Sequence, residues 1–243
     1  GGYSAFRADI TEKCTEEFNT IAIWCSNEKC DAIYPQSADF TFYGGLYRGA
    51  HLICVPETHF ELLHYGDLGI HAATEPASWD KEDFMLHIRT KICGVEKDNQ
   101  VIYQIFDEDG KEVASAARPA DSPDTSIPLY KPHRWDIKNS YQYTLKALIM
   151  RNNECLDEVE LKFGVRTFCC DPGRGFLING NCVPLRGVSR HQDKLYQGNA
   201  LTKEDHIRDA ELIEEIGANT VRLAHYQHAQ EFYNECDKRG FVV

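Results

Sequence analysis

The sequence has no uninterrupted apolar run approaching the roughly 20 residues a membrane-spanning helix needs, which excludes a helical span. It has no Cys-x-x-Cys pair among its ten cysteines, so zinc-ribbon and thioredoxin-like spacings are missing. The adjacent Cys169 and Cys170 are poorly spaced for either chemistry. No Asn-x-Ser/Thr glycosylation acceptor occurs, and there is neither an internal repeat nor a low-complexity segment. Positive charge is scarce: 26 Lys and Arg against 38 Asp and Glu give a net charge of -12. Such a balance repels a phosphate backbone, so no nucleic-acid partner is expected. The reading that survives is a soluble cytoplasmic protein with free, partly buried thiols and a neutral or small partner. The opening "GGYSAF" has no methionine, which leaves a lost signal peptide open.

What is present is globular in composition, with 42% hydrophobic and 11% aromatic residues in 243. Three regions differ in hydrophobic period. Residues 1–56 read as short strands of half an antiparallel β-sandwich, with Ile21, Ile23 and Cys25 alternating and a Gly44–Gly45 break after Phe40 and Phe42. Residues 57–168 alternate more cleanly. Phe84, Leu86, Ile88 and Ile92 share one face, Asp109–Gly110 suits a hairpin turn, and Tyr141, Tyr143, Leu145, Val159, Leu161 and Phe163 continue the period of two. This pattern predicts an immunoglobulin-like sandwich, with "RPADSPDTSIP" as a loop inside it. In 169–243 the order becomes strand, helix, strand, helix, strand: "CVPLRGV", a helix capped by Thr202 with Ile207, Ala210, Ile213 and Ile216 on one face, "NTVRLAH", "AQEFYNECDKR" and "FVV". That order demands parallel pairing, as in a barrel that continues further.

The stretch "PLRGVSRHQD" crowds Arg186, Arg190, His191 and Asp193 after the first of these strands; Arg222, His225 and Tyr226 follow the second. In a (β/α) barrel both positions lie on the rim where ligands bind. A pair of ordinary solvated loops is the alternative on spacing alone. His206 and His228 read as solvated. His51, His59, His64 and His71 fit no single metal face by spacing. Trp24, Trp79 and Trp135 read as core or domain-contact residues.

"PLRGVSRHQD" together with "ALTKEDHIRDAELIEEIGANTVRLAHYQHAQEFYNECDKRGFVV" resembles the first two barrel units of glycoside hydrolase family two, in the β-galactosidase branch. Upstream, "SADFTFYGGLYRGAHLI" is similar to the end of that family's jelly-roll sugar-binding domain, and "YQYTLKALI…VELKFGVRTF" to the last strands of its immunoglobulin-like domain. The resemblance implies a multidomain fold: the C-terminal part of a jelly-roll β-sandwich at 1–56, an immunoglobulin-like β-sandwich at 57–168, and the start of a truncated TIM barrel at 169–243.

It also implies roles. His191 and His225 match histidines that hydrogen-bond substrate hydroxyls, and Arg222 matches an arginine that supports the ionised nucleophile. Asp39 matches an aspartate that contacts a sugar hydroxyl and, in some members, a sodium ion. Thr41 stands where the family has a tryptophan, which leaves the aromatic wall in doubt there. The implied parent activity is a retaining exo-β-glycosidase acting on β-galactosides, with β-glucuronides or β-mannosides as the sister activities and a non-catalytic carbohydrate-binding module as the rival class. Magnesium and sodium are implied for full-length members. This chain is expected to carry no cofactor and neither catalytic glutamate, both of which the family places on later strands. Uncovered barrel strands would favour a homo-oligomer or leave the chain partly disordered.

Overall fold

The computed structural model describes residues 2–33 and 37–243. Its centre is a sandwich of two antiparallel sheets. Strands β1 (His59–Phe60), β2 (Ile70–Pro76), β3 (Phe84–Thr90), β4 (Ile92–Cys93), β5 (Gln100–Phe106), β6 (Glu112–Pro119), β7 (Thr125–Leu129), β8 (Tyr143–Arg151) and β9 (Glu154–Phe163) follow one another along the chain. One sheet has the order β2-β3-β7, the other β6-β5-β8-β9, and β1 pairs with β4 beside them. Alternate residues of β3, β5 and β8 point between the sheets. Phe84, Leu86, Ile88, Val101, Tyr103, Ile105, Leu145, Ala147 and Ile149 are each at most 1% exposed. Each large apolar side chain among them contributes about 1.5–3 kcal/mol by leaving water. Tyr103 brings a hydroxyl into this core and pairs it with Thr90 Oγ1 at 2.7 Å and the Pro123 carbonyl at 2.9 Å. Burial pushes that phenol up to about 12.

The immunoglobulin-like expectation therefore describes the layers and the inward faces. The Asp109–Gly110 turn forms as expected, with Gly110 at φ 76° and the Asp107 carboxylate accepting from the Asp109 and Lys111 amides. Two details differ. The strand holding Phe84 to Ile88 stops at Thr90, and Ile92 turns away on β4 to pair with Phe60. The loop expected at "RPADSPDTSIP" shrinks to residues 120–124, since β6 and β7 extend into it.

The expected jelly-roll strands in 1–56 do not form among the described residues; a 3-10 turn at Thr11–Lys13 is the regular element there. Ile21 is 64% exposed, Trp24 92% and Leu52 72%. Alternation marks a face that could be buried, but a strand exists only where a neighbour completes its ladder of hydrogen bonds, and these segments meet no such neighbour. The segment is instead held at single points. Arg7 donates to the Leu62 carbonyl at 3.0 Å and to that of Asp67. Arg48 donates to the carbonyls of Tyr3 and Gln227, both at 2.5 Å.

Beyond the sandwich, β10 (Phe168–Asp171), β11 (Gly175–Ile178) and β12 (Asn181–Cys182) make a small antiparallel sheet. Next come β13 (Gly187–Arg190), α1 (Lys203–Glu215), β14 (Thr220–Leu223) and α2 (Gln230–Arg239). β13 and β14 are parallel, Gly187 opposite Thr220 through Arg190 opposite Leu223, and Val242 bridges in parallel to Thr220. The opening of the barrel is thus present, with its first strand beginning at Gly187 and not at Cys182. Thr202 caps α1 in a reciprocal box with Asp205, and Gly240 ends α2 at φ 74°. Ala210, Ile213, Val221, Phe232, Cys236 and Phe241 bury the helices against the strands. Ile216 is 68% exposed and lies off that stripe, whose third member in α1 is His206.

The two units meet at Trp135, 3% exposed, whose indole donates to the Asp237 carbonyl at 2.7 Å and carries the Arg166 guanidinium 4.8 Å from its centroid. Trp135 is the domain-contact residue expected; Trp24 and Trp79 are exposed. All ten thiols are free, and Cys236 alone is buried, so the expected partial burial of thiols holds at that position and, in lesser degree, at Cys93.

Candidate active site at the open ends of the first barrel strands

Successive residues of a strand point to opposite faces, and this alternation sorts the charged cluster. On β13, Val188 and Arg190 face the helices; on β14, Val221 and Leu223 do the same. Ser189 and Arg222, paired in register, face the other side. His191 and His225 follow just past the strand ends, and their rings meet edge to face with centroids 5.3 Å apart. The Ala224–His225 peptide is cis. Arg222 Nη2 donates to His225 Nδ1 at 2.8 Å. A guanidinium can only donate, so His225 Nδ1 accepts and the neutral ring carries its proton on Nε2. His225 therefore presents an N–H donor held in a fixed orientation.

The segment around Asp39 reaches this rim. Phe40 lies 5.7 Å from His191, 5.9 Å from His225 and 5.4 Å from Tyr226, ring centre to ring centre, and stacks on Phe42 at 4.7 Å. Asp39, next to Phe40, is exposed. Thr41 cannot supply an aromatic wall; the aromatic ring that reaches the two histidines is Phe40, with Phe42 stacked behind it. Tyr3 stacks on Tyr226 at 4.3 Å, and Ser4 Oγ donates to Gln227 Oε1 at 2.5 Å. An open cleft lies beside the rim between residues 2–4, Ala32, Ile33 and His225–Gln227, and of the candidate residues it touches His225 alone. His191, Arg222, His225 and the chain at Asp39 are thus brought together. Arg186 and Asp193 stay exposed.

Arg190 leaves the rim and is a correction to the sequence reading. It is 6% exposed, lies 3.9 Å above the centre of the Phe232 ring, and donates to Asp209 Oδ2 from Nε at 2.9 Å and Nη2 at 2.6 Å. Its Nη1 donates to His228 Nδ1 at 2.9 Å and its Nη2 to His206 Nδ1 at 3.0 Å. Both histidines, expected in solvent, are buried at 3% and 2% exposure. Burial and then the Arg190 charge push His228 down to about 3 and His206 below its ordinary value, so both are neutral acceptors. Gln192, 1% exposed, accepts the Ala229 amide at 2.6 Å and so closes the start of α2. The spacing 206, 210, 213 was the available signal for His206; nothing local marked Gln192 or His228.

No group of three His, Cys, Asp or Glu ligands among the described residues includes Asp39. It offers a cation one carboxylate, where hard cations take six or more oxygens. Asp39 would be one oxygen ligand of the sodium ion implied by resemblance, and backbone and hydroxyl oxygens would have to complete its shell.

The model for the TIM barrel domain of glycosyl hydrolases family 2 matches residues 172–243, and a second model of glycosyl hydrolases family 2 matches 75–166. A crystal structure of an FMN-binding β-glucuronidase from Facaelibacterium prausnitzii L2-6 superposes with a TM-score of 0.85 at 50% identity, over 89% of this chain and 33% of that one. A β-glucuronidase of Bacteroides fragilis is 32% identical over the whole of this chain and 36% of its own length. A β-galactosidase of Bacteroides ovatus is 29% identical over the whole of this chain and 28% of its own. The chain spans about a third of the length of these relatives. Two models of one family matched in domain order, on a sandwich followed by parallel βα units, place the chain in glycosyl hydrolase family 2.

Proposed function

We propose that the parent protein is a retaining exo-β-glycosidase and that His191, Arg222, His225 and Asp39 hold the terminal sugar at the barrel mouth. The observation that carries this reading is the His191–His225 pair. Two rings from neighbouring parallel strands converge under Phe40, one of them held as an Nε2–H donor by Arg222. Such a set suits a sugar, which offers an apolar face to an aromatic ring and hydroxyls to fixed donors and acceptors.

Within that class the sugar is read as a β-D-glucuronide, supported by the 50% identity to a β-glucuronidase structure. The β-D-galactoside expected from "SRHQD" is the second reading, supported by the relative from Bacteroides ovatus. Retaining hydrolysis also needs a nucleophile and an acid/base carboxyl about 5–5.5 Å apart. Of His191, Arg222, His225 and Asp39 only Asp39 carries a carboxyl, so this set is expected to bind and orient a sugar without turning it over. The test is an assay of the chain and of the full-length protein on nitrophenyl β-glucuronide, β-galactoside and β-mannoside, with the product anomer followed by NMR. Full-length activity with retention, greatest on the glucuronide, and a silent 243-residue chain are expected. Turnover by the purified chain, or inversion by the full-length protein, would overturn the reading.

A further inference from the structure

The turn between β1 and β2 gathers three metal-binding side chains with the spacing His-x-x-Asp-x-x-x-His. His64 Nδ1 lies 2.8 Å and His71 Nε2 2.9 Å from the same oxygen, Asp67 Oδ2. All three ligand atoms lie within 4.8 Å of one another. The chain is bent to achieve this. Tyr65, Gly66 and Gly69 have φ of 53°, 71° and 70°, and the Asp67 amide donates back to the His64 carbonyl at 3.1 Å. A side chain at Gly69 would place its Cβ 2.7 Å from the backbone of Glu61, so the turn depends on that glycine.

Asp67 is also held from outside the trio. Its Oδ1 accepts the Gly69 amide at 2.8 Å, which aims Oδ2 at both imidazoles, and Arg7 binds its carbonyl.

We infer that His64, Asp67 and His71 form a binding site for a divalent cation of the zinc class, clipping the β1–β2 turn and the Arg7 segment tied to it. Two nitrogens and one carboxylate oxygen suit zinc or cobalt and disfavour calcium and magnesium. Bonds of about 2.0–2.1 Å in a tetrahedron put ligand atoms about 3.3 Å apart, so the two His–Asp separations would open by a few tenths of an ångström while the two imidazole nitrogens, within 4.8 Å of each other, settle to the same spacing. Side-chain exposures of 32%, 23% and 52% leave the outer side open to a water as fourth ligand. The site lies on the sandwich and is independent of the sugar-binding reading.

The test is titration of the 243-residue chain with Co²⁺ after its thiols have been alkylated in the native state, which removes competing cysteine ligands. One equivalent is expected to bind, giving visible d–d absorption without a thiolate charge-transfer band and perturbing the His64 and His71 ring proton signals. H71A and D67N are expected to weaken it by more than the roughly 10–100-fold typical of lost outer-shell contacts. Absence of stoichiometric binding by the wild-type chain at micromolar metal would overturn the inference. So would unchanged affinity in folded H71A. If a variant unfolds, the wild-type stoichiometry and the two histidine signals decide the matter alone.

Discussion

Arg190→Ala is expected to destabilise the barrel units by about 2–6 kcal/mol, from about 1–3 kcal/mol for each of the two buried imidazole acceptors left without a donor; its other partner, Asp209, is 38% exposed and can return to water. Arg190 serves four acceptor contacts from one planar group: two to Asp209, one to His206 and one to His228. It also covers the Phe232 ring at 3.9 Å. Alanine leaves two buried neutral histidines without their donor and a void over Phe232. Lysine restores the charge near Asp209 but lacks the fork that reaches both imidazoles at once, so R190K is expected to recover only part of the loss. Hydrogen exchange measures this locally. Amides of α1 and α2 should lose protection in R190A while those of β3, β5 and β8 keep theirs. Unchanged protection in the helices would show that Arg190 is not the organiser of this layer.

Trp135→Ala is expected to cost about 3–5 kcal/mol, the range for truncating a buried large aromatic residue. Its effect differs in kind, because Trp135 joins two units. The indole reaches the Asp237 carbonyl on α2, its backbone amide bonds the Val165 carbonyl at 2.9 Å, and its carbonyl accepts from Asn179 at 3.0 Å. Gly164 packs so closely that a Cβ there would sit 2.8 Å from the Trp135 Cβ. Removing the ring therefore opens the contact between sandwich and barrel. In urea titrations followed by Trp and far-ultraviolet signals, W135A is expected to separate into two transitions. A single transition with an unchanged midpoint would contradict the assignment of Trp135 as the joint.

These residues show what the sequence disclosed and what it withheld. The sandwich was legible because its strands bury one face and wet the other, so Phe84, Leu86 and Ile88 announce both the strand and its inward side. The parallel units were legible from Thr202, Gly217 and Gly240 punctuating the two helices. Alternation at residues 1–56 was real but did not encode a partner, and no ladder formed there among the described residues. The grouping of His191, Arg222 and His225 was legible because strand ends in a barrel all point to one rim, and the three side chains do meet there. Arg190 was misplaced because it adjoins His191 in sequence, although its shared face with Val188 turns it toward the helices. His64, Asp67 and His71 were missed because their meeting depends on a left-handed turn through Tyr65 and Gly66, which histidine spacing alone does not express.

The most direct test of the proposed sugar-binding rim is the kcat/KM of the full-length protein carrying His191→Ala or His225→Ala, measured on the best of the three nitrophenyl glycosides. Each substitution removes a group proposed to hold the sugar and leaves the Arg190 layer behind it intact. The account predicts a fall of roughly 10²–10³-fold for each, comparable to loss of one oriented transition-state donor, with the thermal midpoint nearly unchanged. Near-wild-type kcat/KM in both folded variants would contradict it and place the sugar elsewhere on the molecule.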